Sequence, residues 1–133
     1  MKDSPYANAT GDTATSTGLD ARLASVLCYA GWWVTGLVFL FVERRHATVR
    51  FHAAQSLIVF GAITVALFLS GGASAVAFFV AAPTFQALQA IGNVIWLAAV
   101  LLWLYLLVKA WRGEAYRVPM AGDLAMKIGR VLD

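Results

Sequence analysis

No aspartate, glutamate, lysine or arginine occurs between Ala53 and Val108. A soluble chain of 133 residues has too much surface to leave such a stretch uncharged. A lipid bilayer removes the difficulty, because the exterior of the folded chain is then hydrocarbon. Composition agrees: 61% of the residues are hydrophobic and 13% charged. Ordinary globular chains hold about 45–50% and about 25%. The chain therefore reads as all-α, an integral membrane three-helix bundle with a short amphipathic C-terminal helix.

The uncharged run has room for two helices of about 20 residues each. Pro83 marks the break between them, since proline removes a helix hydrogen bond but is tolerated in a first turn. The second span is expected over Phe51–Val80, with Ser70-Gly71-Gly72 able to end it early, and the third over Gln86–Trp111. Upstream, Leu23–Val42 is uncharged and about 30 Å long as a helix, which matches a hydrocarbon core. It is taken as the first span. Residues 1–21 are small and polar and are expected to be disordered. The Asn8-Ala9-Thr10 triplet matches a glycosylation acceptor, a pattern that chance often produces. Three segments follow: a polar tail over 1–21, a three-span membrane domain over 22–111 and a cytosolic tail over 112–133. In that tail Asp123 is expected to cap a short helix. Leu124, Ile128, Val131 and Leu132 then share one face, suited to the membrane interface.

With three spans, the first loop and the C-terminal tail carry eight basic residues on one side, against Lys2 and Arg22 on the other. The positive-inside rule then puts the N-terminus outside and the C-terminus in the cytosol of a bacterial inner membrane.

Few residues offer chemistry. His52, Gln55 and Ser56 share a helix face at i, i+3 and i+4, with Arg50 just before them. This cytosolic mouth fits a phosphate headgroup, a partner helix or a proton, the histidine being able to titrate near neutral pH. Interfacial anchoring is the plainer alternative. Asn93 is the side-chain amide deep in the third span and reads as an interhelical clamp. Ala62, Ala66, Ser70 and Ser74 recur every four residues, a small ridge for helix packing. One cysteine, Cys28, and two distant histidines give no metal spacing. No nucleophile–base pair or phosphate loop occurs, and the spans contain no acid. Neither an enzyme nor a cofactor is expected. The basic residues flank apolar runs, which speaks for lipid contact and against nucleic acid.

Residues 27–56 and 109–129 resemble a family of small bacterial membrane proteins of unknown function, related to the twenty-kilodalton Tic subunit of the chloroplast import machinery. The carrying residues are Tyr29, Gly31, Trp32, Gly36, Glu43, Val49-Arg50-Phe51-His52-Ala53 and Gln55-Ser56. Near the end they are Gly113, Tyr116, Pro119, Gly122, Asp123 and Ala125; Glu114 stands where lysine is expected. The resemblance implies an inner-membrane protein and a role in a translocation or assembly complex. The reading is thus a non-enzymatic membrane subunit contacting the bilayer and a protein partner or further copies of itself. The alternatives are an oligomeric channel or carrier, with Asn93, Thr35, Thr64 and Ser70 as lining, or a lipid-binding regulator.

Overall fold

A computed structural model describes residues 15–131. Of the expected disorder over 1–21, the part over 1–14 lies outside the described residues, as do the Asn8 triplet and the placement of Leu132. Residues 15–20 instead form a turn, with Thr15 buried and Ser16 bonded to Glu43, and Ala21 opens the first helix. The fold is a helical bundle of five elements: α1 (Ala21–Ala30), α2 (Trp32–Val42), α3 (Ala47–Val80), α4 (Ala82–Trp111) and α5 (Ala121–Val131).

α3 and α4 are the two helices long and apolar enough to cross a membrane. Only 11% of the apolar window of each is buried, so these are not core helices of a soluble domain. Ala81 alone joins them, and Pro83 sits in the first turn of α4, where it gives up no helix hydrogen bond. Ser70-Gly71-Gly72 do not end α3, which runs unbroken to Val80.

Leu23–Val42 is not one span. Its two short helices are joined at Gly31 and Trp32, the latter at φ +63°. This left-handed conformation costs a non-glycine residue roughly 1–2 kcal/mol. The Trp32 indole is held by a bond from Nε1 to Thr64 Oγ1 at 3.0 Å and by the Phe60 ring, 4.4 Å away centroid to centroid. Thr35 Oγ1 closes the turn, accepting from Gly31 N–H at 3.0 Å and donating to the Cys28 carbonyl at 3.2 Å.

The chain then doubles back. Trp32 meets Ser56 and Phe60, Gly36 meets Ala53 and Ser56, and Leu40 shares a cluster with Val49. α2 therefore runs antiparallel to α3. Its far end returns to where α1 began, and Ser16 bonds Glu43. Each arm is about 15 Å long, half of a hydrocarbon core. The hairpin enters and leaves at one end of the bundle. Residues 16 and 43, which a single helix over Leu23–Val42 would hold apart, thus lie together at one end.

Gly36 makes this packing possible. A Cβ there would lie 2.8 Å from the Ala53 carbonyl oxygen and 2.9 Å from Ser56 Cβ. Backbone cannot retreat as a flexible side chain can. Gly36→Ala is expected to cost about 1–3 kcal/mol of stability in detergent. Gly61→Ala, with open space around it, is the matched control and should cost nothing. Equal melting temperatures for the two variants would refute the close approach.

α5 begins at Ala121, two residues before the expected cap, so Asp123 lies in its first turn near the positive end of the helix dipole. It docks on α3 through Ala125, with Ile128 partly buried in the same cluster. Leu124, expected on the face turned to the membrane interface, is 48% exposed, whereas Ile128 of that face packs against the bundle.

A candidate functional site at the charged end

Every charged residue in the described segment lies at one end, around the hairpin mouth, the start of α3, the end of α4 and α5. Beyond Phe60, α3 continues for 20 residues to Val80, about 30 Å, with no charge. At the level where charge begins, Tyr105 packs edge-on against Tyr116 and Lys109 lies over both rings. Lys109 also pairs with Glu114, and Trp111 is 66% exposed. Aromatic rings with a lysine mark a membrane–water boundary. Phe78, Phe79 and Phe85 pack edge-on at the opposite tip.

Inside the charged end lies a buried polar network whose hydrogen positions follow from its partners. Val118 N–H can only donate, so the Gln55 atom 3.1 Å away is Oε1. Gln55 Nε2 then donates to the Tyr116 carbonyl at 3.0 Å and to Tyr29 Oη at 3.2 Å. The Tyr29 hydroxyl, having accepted, donates to His52 Nδ1 at 3.0 Å. His52 therefore carries its hydrogen on Nε2 in this network. Ser56 donates to the Trp32 carbonyl at 2.8 Å, and Trp103 Nε1 to the Tyr29 carbonyl at 2.7 Å. Gln55 thus pairs with 116–118 much as a backbone would, and ties the C-terminal arm to α3 and α1.

Glu43 organises the other side of this end. Its carboxylate is fully buried and accepts from the backbone N–H groups of Ser16, Arg45 and His46 and from the Ser16 hydroxyl, at 2.8–3.0 Å. Burial by itself would raise its pKa. The bonds from Ser16, Arg45 and His46 outweigh that and hold the carboxyl below its ordinary value.

The structure thus brings Arg50, His52, Gln55 and Ser56 together at one end, all buried. His52 Nδ1, both ends of the Gln55 amide and the Ser56 hydroxyl are engaged by the protein's own groups. The surface that faces outward is instead cationic: Arg22, Arg44, Arg45, Arg112, Arg117 and Lys127 are exposed. Asn93 is exposed on the outer side of α4 and makes no hydrogen bond with the described residues. The small ridge divides. Ser74 is buried and Ser70 lies beside Gly92 of α4, whereas Ala62 and Ala66 are exposed. The hydroxyls of Thr35 and Thr64, the expected lining of a channel, are both engaged within one copy, Thr35 in the hairpin turn and Thr64 on the Trp32 indole. Sequence reasoning missed Tyr29 and Glu43 as organisers. Glu43 three residues before His46, among basic residues, was the available sign.

Two apolar helices exposed along their length, with all the charge of the described residues at one end, define a helical membrane protein. The chain belongs to the magnetosome magnetite crystal formation protein family (MamF/MmsF), whose family model matches residues 12–125. It is similar to two UPF0132 membrane proteins of Methanocaldococcus jannaschii. One is 35% identical, over 85% of this chain and 73% of the relative. The other is 36% identical, over 84% and 90%. A UPF0132 membrane protein of Archaeoglobus fulgidus is 34% identical, over 74% and 90%. No solved structure matches. A membrane-protein family was expected and is found; the relatives named here are archaeal, and they do not show the expected relation to a Tic subunit.

Proposed function

We propose that the protein is a non-enzymatic subunit of a membrane assembly, which holds a folded, cationic module against the cytosolic face of the plasma membrane. The observation that carries this reading is the segregation of charge. A hairpin of α3 and α4 crosses the bilayer twice, and the hairpin of α1 and α2 dips into the near leaflet. Residues 16, 45 and 129 then all face the cytosol, where anionic lipid attracts juxtamembrane cations by about 1 kcal/mol each. The carrying residues of the sequence resemblance, Tyr29, Glu43, Gln55 and Tyr116 among them, meet in this module, which supports partner binding there. A translocation or assembly role rests on that resemblance alone. The family description concerns magnetite crystal formation, and the reading requires no mineral chemistry of this chain.

Single cysteines at Ser16, Arg45, Gly129 and Thr84, in a Cys28→Ser background, test the threading with a membrane-impermeant thiol reagent. Only position 84 should label in intact cells, and the other three only after permeabilisation. Labelling of position 16 but not 45 in intact cells would restore the three-span arrangement and overturn the proposal. Cross-linking before purification should then recover a partner through the charged end.

A further inference from the structure

Asn93 is out of place in a single copy. It lies level with Ser70 and Gly92, roughly 15 Å from the α3–α4 tip, well inside the apolar stretch. It points outward and makes no hydrogen bond with the described residues. A primary amide facing hydrocarbon without a partner is strongly disfavoured.

Its neighbours on the same side of α4 are Gln86, Ala90, Leu97, Val100 and Leu104, at steps of three and four residues that keep them on one helix face, the seam. The opposite face carries Leu88, Gly92, Ile95, Ala99 and Leu106, all buried or half-buried, with Gly92 beside Ser70 of α3. Within the seam, Gln86, Ala90, Asn93, Leu97 and Leu104 are exposed and Val100 is half-buried.

We infer that α4 pairs with α4 of a second copy through this seam, with Asn93 against Asn93. The occupant follows from two constraints. Copies inserted in one orientation can pair α4 only in parallel, about an axis normal to the membrane, so residues at the same depth meet. An amide offers both donor and acceptor, so it is its own complement across that axis. A single polar residue at such a seam fixes register and the number of helices. Ala90 one turn away lets the helices approach closely enough for the amides to bond. The inference stands on the depth and exposure of the Asn93 amide and is independent of the orientation proposed above.

The full-length protein in phosphatidylcholine vesicles tests it. In a Cys28→Ser background, cysteines at Ala90 and Leu97 should oxidise to disulfide-linked dimers. Those at Val94 and Ala98, off the seam, should not. Energy transfer between labelled copies, measured against dilution with lipid, gives the dimer dissociation constant. Asn93→Leu should raise it about three- to thirty-fold, and Asn93→Gln should restore part of the loss. Asn93 is exposed and makes no hydrogen bond with the described residues, so Asn93→Leu should melt like the parent under conditions that keep it monomeric. Equal cross-linking at all four positions, a monomer at every dilution, or an Asn93→Leu dimer as tight as the parent overturns the seam. A lower monomer melting temperature for Asn93→Leu would return the residue to an intrachain role.

Discussion

Gln55→Leu is expected to destabilise the protein by about 3–5 kcal/mol and to release the C-terminal arm from the bundle. The variant keeps the volume but leaves the Tyr116 carbonyl, the Val118 N–H and the Tyr29 hydroxyl without their partner. A buried polar group so abandoned costs about 1–3 kcal/mol, and entering water recovers part of that for the outermost group. The two trans-bilayer helices do not depend on Gln55, so insertion and expression should persist. Thermal unfolding in detergent measures the loss. Limited proteolysis should show new cleavage between Arg112 and Met120 while α3 and α4 stay intact. Gln55→Glu retains an acceptor for Val118 but loses both donated bonds, so it should fall between. A Gln55→Leu protein that melts and resists protease like the parent would mean that the arm is held by apolar packing alone.

The next largest effect is expected at Glu43, and it depends on pH. Glu43→Ala orphans three backbone N–H groups and the Ser16 hydroxyl, at a cost of about 2–4 kcal/mol. The carboxyl sits below its usual value of 4.5 in the fold, so the folded state binds this proton less readily than the unfolded state does. Its contribution is fully present above about pH 4.5 and disappears as the pH falls through the lower folded value. The melting temperature of the parent should therefore drop on acidification below that point, and Glu43→Ala should remove this dependence. Parallel pH profiles for parent and variant would show that another group governs the acid response.

How much of this was readable from the sequence differs between the two ends of the molecule. The distal hairpin was open to view, because bilayer thickness fixes helix length and Pro83 can occupy few positions in a helix. The hairpin of α1 and α2 was hidden by the same argument. Leu23–Val42 has the length of a span, and length does not reveal a reversal at its middle. Gly31 hinted at it, but the turn rests on Trp32 adopting a conformation that no propensity assigns to tryptophan. The helix face of His52, Gln55 and Ser56 was found by spacing, whereas its partners were not. Tyr29, Tyr116 and Val118 lie 26, 61 and 63 residues from Gln55, and no local pattern links such distances. Asn93 was recognised as exceptional for the right reason, the cost of an amide in hydrocarbon. Assigning it an inward direction required the helix phase, which only the packing on α3 supplies.

The link between α3 and α4 is one residue, Ala81, and no charge lies between Ala53 and Val108. For a newly made chain threaded as proposed, this means that nothing charged has to reach the far side. The two helices can enter together as a closed loop, their backbone bonds already made, and the only groups carried through are apolar side chains and a few neutral amides and hydroxyls. No ionised side chain is dragged through the hydrocarbon, and the membrane potential has no charge on this segment to push or oppose. Biosynthesis of such a protein is a partitioning problem and requires no pulling force.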